Sequence, residues 1–423
     1  MAANAKFLKS YTTLQKLIAR KFKQALKHDD VTVWANMAAP VWLLAGIDDT
    51  IVPIYQQLHN MTKSRSQVRE AIETSAALGY DTNLCSDVRC DIGQLALLAK
   101  KRTSMRGPTL VFGINAVCFA SSGLYRGWIN NYPDAAHFFL DLPFSADETI
   151  SESGVSYIRD QLVAFSRQLE RLFHREFDVE RFKRAVARLA LNKELYRSVL
   201  RLAVNNPSPL CATSFQPFLI PITFYGHYEE TTEYLLELRA ELQGLVDKPV
   251  EPKERIRLLW DFTPIYRYMD DISRVLDEHS AKIVMGLSLF SSLEWPSGAW
   301  VERQDDPFYA QAYAYAHLPY RRTEKYKFGI MSKMLKDYDI DAVIFHASRN
   351  CKANSLPMYI FREEIANEYG LPVLLFEADI LDAAVYSKSQ VLNRIEAFLE
   401  MVEQKKVRSR LATSLLLSPS QSS

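Results

Sequence analysis

Two stretches of this chain each run β-prone segment, helical segment, β-prone segment, and that order limits the fold more than any other feature. In the first, Thr109 to Gly113 (TLVFG) follows Gly107-Pro108, and His137 to Leu142 (HFFLDL) comes after a helix-like stretch containing Trp128. In the second, Ala342 to His346 and Pro372 to Phe376 bracket FREEIANEYG, a helix stopped by Gly370 and Pro372. Short β-prone runs joined through a helix pair in parallel, so each stretch belongs to a parallel sheet. Ile256 to Trp260 and Lys282 to Leu287 supply further strands to the second block. The opening hundred residues read as mostly helical, and so does the charge-rich stretch from Glu152 to Leu245, broken at Asn206-Pro207-Ser208-Pro209. The expected fold is α/β: two Rossmann-like parallel-sheet domains with an additional helical section. Its expected boundaries are an N-terminal helix over 1–29, a first α/β domain over 30–150 and a helical section over 151–250. A second α/β domain over 251–406 and a disordered, serine-rich tail over 407–423 complete it.

In open parallel sheets the ligand crevice lies beyond the carboxyl ends of the strands. Cys118 sits just past the end of the first such strand, and Cys351 lies in the loop after DAVIFH. Cys85 opens the helical pattern CSDVRCDIGQLALLAKK, where unpaired backbone N–H groups favour a thiolate. Three of the five cysteines are therefore expected to converge on the cleft between the domains; Cys90 and Cys211 are expected in packing. The odd number and the absence of an export signal argue against a disulfide framework. Thiolates select zinc, copper(I) or iron–sulfur clusters. Zinc sites show paired short spacings and ferredoxin clusters show tight cysteine runs, and neither pattern is present. Widely separated single cysteines would leave a cubane with one iron free of protein thiolate. A redox-active thiol protein is the remaining alternative, weakened by the lack of C-x-x-C.

Charge removes other classes. With 51 basic and 50 acidic residues the net charge is +1, and no basic stripe suits nucleic acid. The amino-terminal thirty residues form an amphipathic basic pattern rather than a secretory signal, and no apolar run spans a bilayer. The expected compartment is the cytoplasm, with no nucleic-acid or membrane partner.

Three segments carry a resemblance to a known family. They are GYDTNLCSDVRCDIGQ, with a cysteine, an arginine four residues on and a downstream glycine; LVFGINAVCFASSGLYRGW, a strand followed by cysteine and an aromatic-rich helix; and the long block from IDAVIFHASRNCKANSLPMYIF to about residue 405. In order and spacing they resemble the benzoyl-CoA reductase / 2-hydroxyacyl-CoA dehydratase family. NNPSPLCATSF resembles the larger iron–sulfur subunit of benzoyl-CoA reductase more than the dehydratase subunits. The resemblance implies a [4Fe-4S] cluster on Cys85, Cys118 and Cys351, an acyl-CoA substrate, a homologous second subunit in a heterodimer and a separate ATP-hydrolysing iron–sulfur activator. The chain has no G-x-x-x-x-G-K-[ST] loop, which suits a subunit that does not itself hydrolyse ATP. The implied chemistry is low-potential, radical reduction of the thioester carbonyl or of an aromatic ring, with dehydration of a 2-hydroxyacyl thioester as the alternative and a non-catalytic scaffold as a second.

One position departs from the family. Where many members carry Pro-Glu, this chain reads Val52-Pro53-Ile54-Tyr55-Gln56. Isoleucine cannot do the proton chemistry of a carboxylate, so Tyr55, Gln56 or His59 substitutes, the partner supplies the acid, or this member carries out a different reaction. His346 and Arg349, before Cys351, are candidates for contact with cluster or thioester, and Lys352 adds positive charge beside a ligand. Glu377 and Asp379 are expected to cap the turn that follows them, and FYAQAYAYAHLPYRR to pack as a wall of the cleft or an interface.

Overall fold

The computed structural model describes residues 8–27, 31–55, 63–101, 107–118, 120–146, 151–210, 215–248, 255–261, 265, 268–286 and 305–417. The first unit runs α1 (Lys9–Lys27), β1 (Val33–Ala35), a 3-10 turn (Val41–Gly46), β2 (Ile54–Tyr55), α2 (Arg65–Ala77), α3 (Ser86–Lys101), β3 (Leu110–Ile114), α4 (Ala120–Asn131) and β4 (Ala136–Leu140). Helices α5 (Glu152–Phe173), α6 (Val179–Arg201), α7 (Phe215–Tyr225) and α8 (Glu229–Val246) follow. The second unit runs β5 (Ile256–Asp261), α9 (Met269–Glu278), β6 (Ala281–Met285), α10 (Pro307–Ala316), α11 (Glu324–Asp337), β7 (Ala342–Ser348), α12 (Lys352–Tyr369), β8 (Val373–Ala378) and α13 (Lys388–Leu417).

Both sheets have four strands, ordered β2-β1-β3-β4 and β6-β5-β7-β8. Every pairing is parallel, with Trp34 opposite Val111 and Phe112 opposite Phe138 in the first, and Leu259 opposite Val343 in the second. This is the α/β architecture that the helix-separated strand runs imply. β3 (LVFGI) and β7 (AVIFHAS) are buried along their whole length, as strands covered on both faces must be, which is why they read as apolar runs without alternation. β1 and β2 were not anticipated by the helical reading of the first hundred residues. At three and two residues they are too short to display a period.

Close helix packing seats the first unit. A Cβ added at Gly93 of α3 would stand 1.8 Å from the Ala71 carbonyl oxygen of α2, so only glycine lets these helices approach this closely. α10, though encoded between strands of the second sheet, packs across on α5. Its Tyr315 stacks on Trp42 with ring centroids 6.0 Å apart and donates to the Ala38 carbonyl at 2.7 Å. Arg159 of α5 pairs with Asp306 at 2.8 Å, and Arg321 Nη2 donates to the Leu142 carbonyl at 2.6 Å. The tyrosine-rich segment is thus an internal wall joining the two sheet units.

One expectation at the carboxyl end differs, and the Asn-Pro-Ser-Pro break acquires a structural role. α13 continues to Leu417, past Val407 where disorder was expected, because the basic, leucine-containing stretch KKVRSRLATSLLL extends the same helix. The Asn-Pro-Ser-Pro break is a structural joint: Arg257 donates to the Ala203 and Asn205 carbonyls at 2.6 and 3.0 Å, and Lys282 to the Ser208 carbonyl at 2.6 Å. Both donors lie at the amino ends of β5 and β6, the side of the sheet opposite Cys351. Cys211 lies outside the described residues. Among the described residues no helix is long and apolar enough to cross a membrane.

Candidate metal centre

All three singled-out cysteines stand at the start of a helix that follows a strand or a turn. Cys85 immediately precedes α3 and its carbonyl accepts from the Arg89 N–H at 2.9 Å. Cys118 lies four residues beyond β3 and two before α4. Cys351 lies three residues beyond β7 and is the N-cap of α12. Helix amino ends carry partial positive charge and free N–H groups, which offset part of the cost of gathering sulfur anions there.

The three thiols are neighbours. Burial pushes the Cys85 thiol well above its usual range, and the nearby Asp87, Cys118 and Cys351 push it further. Burial and then Cys118 push Cys351 up to about 11, against a lowering by Asn354. Each of the three residues nevertheless keeps part of its surface exposed. Like charges at such range cannot all form unless something positive is bound between them. Among the described residues the thiols are not drawn in around one ion position. A cluster places its thiolates on different irons, so it asks for neighbouring rather than convergent sulfurs, and this donor set fits one.

Polar groups already face two of the sulfurs. Asn354 Nδ2 donates to Cys351 Sγ at 3.4 Å, and Ser121 Oγ lies 3.5 Å from Cys118 Sγ while donating to the Cys118 carbonyl at 2.8 Å. Hydrogen bonds to ligand sulfurs tune a cluster's potential. Neither residue was singled out from sequence. Their i+3 spacing from a helix-opening cysteine, one turn away on the same face, is the signal that would have found them. Cys90, by contrast, is fully buried among Val68, Ala71, Ile72 and Leu381.

The proton-transfer candidates fall in different places. Ile54 is buried in β2 opposite Trp34, so no carboxylate occupies that position. The Tyr55 ring packs against Phe224 and Tyr225, and its buried hydroxyl has no hydrogen-bond partner among the described residues. Burial, reinforced by neighbouring tyrosines, pushes its pKa far upward, so it can donate a hydrogen bond but not act as a base. Gln56 and His59 lie outside the described residues. His346 is fully buried within β7, its ring stacked on Phe376 at 5.7 Å, a core position. The Arg349 side chain makes an exposed contact with Glu377, 3.7 Å away, and Lys352 is exposed on the first turn of α12. Asp379 caps the turn after β8, accepting from the Leu381 and Asp382 N–H groups at 2.9 and 2.8 Å.

With this arrangement in view, the likenesses to known proteins carry weight. The (R)-2-hydroxyisocaproyl-CoA dehydratase alpha subunit of Clostridioides difficile is 22% identical over 93% of this chain and 96% of its own length. The lactoyl-CoA dehydratase alpha subunit of Anaerotignum propionicum is 22% identical over 90% of this chain and 93% of its own. One subunit of the benzoyl-CoA reductase of Thauera aromatica is 23% identical over 83% of this chain and 84% of its own. Residues 38–402, which include all three helix-opening cysteines, match the family described as 2-hydroxyglutaryl-CoA dehydratase, D-component, and the chain belongs to that family of enzymes.

Proposed function

We propose that this chain is the subunit that holds a [4Fe-4S] cluster in an enzyme acting on an acyl-CoA thioester by low-potential radical reduction, in the manner of benzoyl-CoA reductase. The observation that carries the reading is the neighbourhood of Cys85, Cys118 and Cys351, each at the amino end of its own helix and two of them beyond the carboxyl ends of parallel strands. Bound there, the cluster supplies a single electron at low potential to the thioester. The protein's own contribution is narrower. Cys85, Cys118 and Cys351 would hold the cluster through their thiolates. Asn354 donates to one ligand sulfur, and the three helix ends offset thiolate charge. Tyr55, kept protonated by burial, is a neutral donor rather than a base. Because the phenol holds its proton so tightly, proton delivery to the reduced substrate falls to the His59 segment or to a homologous partner subunit, as the names of alpha subunits among the relatives suggest. In the same reading a separate ATP-hydrolysing protein delivers the electron.

Dehydration of a (R)-2-hydroxyacyl thioester is a second reading, favoured by the names of the two relatives that cover at least nine-tenths of this chain. The buried Ile54 weighs against it, since the carboxylate is lost. The Asn-Pro-Ser-Pro segment separates the two poorly, because it clamps the far end of the second sheet.

The test has two stages. Protein purified without oxygen together with its partner should contain iron and acid-labile sulfide in equal amounts and bleach in air; absence of both after anaerobic handling would sink the cluster. Mass spectrometry of CoA thioesters incubated with the activated complex then distinguishes the chemistries. Gain of two hydrogens supports reduction, and loss of one water supports dehydration.

A further inference from the structure

A buried ion pair joins the two sheet units beside two of the three thiols, and the chemistry above does not use it. Arg89 lies one turn into α3 after Cys85 and is 1% exposed. Its Nη2 donates to Asp382 Oδ2 of the second unit at 2.8 Å. Its Nε donates to the carbonyl of Leu84, the residue before Cys85, at 3.2 Å. One guanidinium therefore grips both the backbone leading into a cysteine and a carboxylate encoded 293 residues later.

Asp382 is itself held. Its Oδ1 accepts from the Ala384 N–H at 3.0 Å, and its own N–H donates to Asp379 Oδ1 at 2.8 Å. Asp379 Oδ2 accepts from Asn350 Nδ2 at 3.1 Å, and Asn350 is the residue before Cys351. An unbroken run of hydrogen bonds thus leads from the chain at Cys85 to the chain at Cys351. Val68, Ala71, Ile72, Cys90 and Leu381 are buried together where the α2–α3 pair meets the loop after β8.

A buried ion pair seldom adds net stability over apolar side chains of similar volume, so packing alone does not explain it. What a guanidinium adds is direction, because its planar donors fix the partners at set angles. We propose that the Arg89–Asp382 pair is a clasp that sets the separation of Cys85 from Cys351, and so governs whether the chain can hold an iron–sulfur cluster. Both are positioning residues. The proposal rests on the three cysteines being cluster ligands.

The test uses the full-length chain purified without oxygen, with three readouts. These are iron and sulfide per chain, the electron paramagnetic resonance spectrum of the reduced protein, and the yield of Cys85–Cys351 bridging by a short bis-maleimide after chelator stripping. Arg89→Met is expected to lose iron and bridging severalfold, and Arg89→Lys, which can still reach one carboxylate oxygen, to recover most of both. Arg257→Met serves as the control, since it removes another buried arginine remote from the thiols; it should lower the melting temperature and leave iron and bridging unchanged. Native iron and bridging in Arg89→Met would overturn the clasp, as would a loss no greater than that of Arg257→Met at a matched drop in melting temperature. Should Arg89→Met fail to fold, Asp382→Asn replaces it: a shifted spectrum and faster iron loss to a chelator are expected, and no change in either overturns the proposal. If wild-type protein binds no iron, the cluster reading falls separately, and the bridging yield alone decides the clasp. Equal bridging in wild type and Asp382→Asn overturns it.

Discussion

The two sheets share a strand order but use the same slot in it differently. In each, the chain lays down a central strand, a neighbour on one side, and then crosses to the other side for a third strand, β3 or β7. The crevice of such a sheet opens where the winding reverses, beside the end of that third strand. Cys118 and Cys351 occupy equivalent places there, four and three residues past their strands. The segments that precede the third strands diverge. In the first unit α2 and α3 fold back on each other at Gly93 and present Cys85. In the second unit the corresponding helix α10 leaves its own sheet, packs on α5 and ties the units together through Tyr315. Repetition of one topology thus yields two matching thiols, and departure from it yields the third thiol on one side and the joint on the other.

The largest effects should come from breaking the matched pair. Cys118→Ser and Cys351→Ser are each expected to abolish retention of iron and acid-labile sulfide to the same degree, whereas Cys90→Ala should retain both. Unchanged iron in either serine variant would remove the equivalence.

Asp91, inside α3, sharpens the contrast because the helix that presents Cys85 also buries a carboxyl. Burial pushes it up to about 7, opposed by the Trp128 indole N–H at 2.6 Å. The folded protein therefore keeps a proton that the unfolded chain releases near pH 4, so stability falls as pH rises from there to about 7. Asp91→Asn should remove that slope and raise stability at pH 8 by up to about 4 kcal/mol, read from urea unfolding at pH 5 and 8. Equal pH dependence in the variant would refute the assignment.

Two glycine substitutions compare the helical insertions directly. Gly93→Ala forces a methyl group into the Ala71 carbonyl and should destabilise by about 1–3 kcal/mol, with loss of iron because Cys85 moves with α3. Gly329→Ala, in α11, meets nothing within 4 Å and should stabilise by about 0.5–1 kcal/mol, leaving iron untouched. Thermal melts and iron assays of both variants provide the check.

How legible the molecule was in its sequence follows from distance along the chain. β7 and β8 could be read within a residue or two, because both are apolar runs of β-prone residues, β7 buried along its whole length and β8 half-buried at the sheet edge. β1 and β2 could not, since three and two residues carry no pattern. The cysteines were legible as positions, each after a strand or at a helix start. The pairing of Arg89 with Asp382 was not, for a contact across 293 residues leaves no local trace. Ile54 was visible as a missing carboxylate, but the burial of the Tyr55 phenol beside it, with no hydrogen-bond partner among the described residues, was not.

That same 293-residue separation has a meaning in time. At roughly 5–20 residues per second, a ribosome delivers Asp382 some 15–60 s after Arg89. Throughout that interval the guanidinium must stay hydrated, since burying it unpaired is strongly unfavourable. The α2–α3 pair can gather its own apolar residues early, but Leu381, which completes their cover, arrives with Asp382. The α2–α3 face therefore waits, not fully closed, for the segment after β8, and the first unit is completed only once the second has been made.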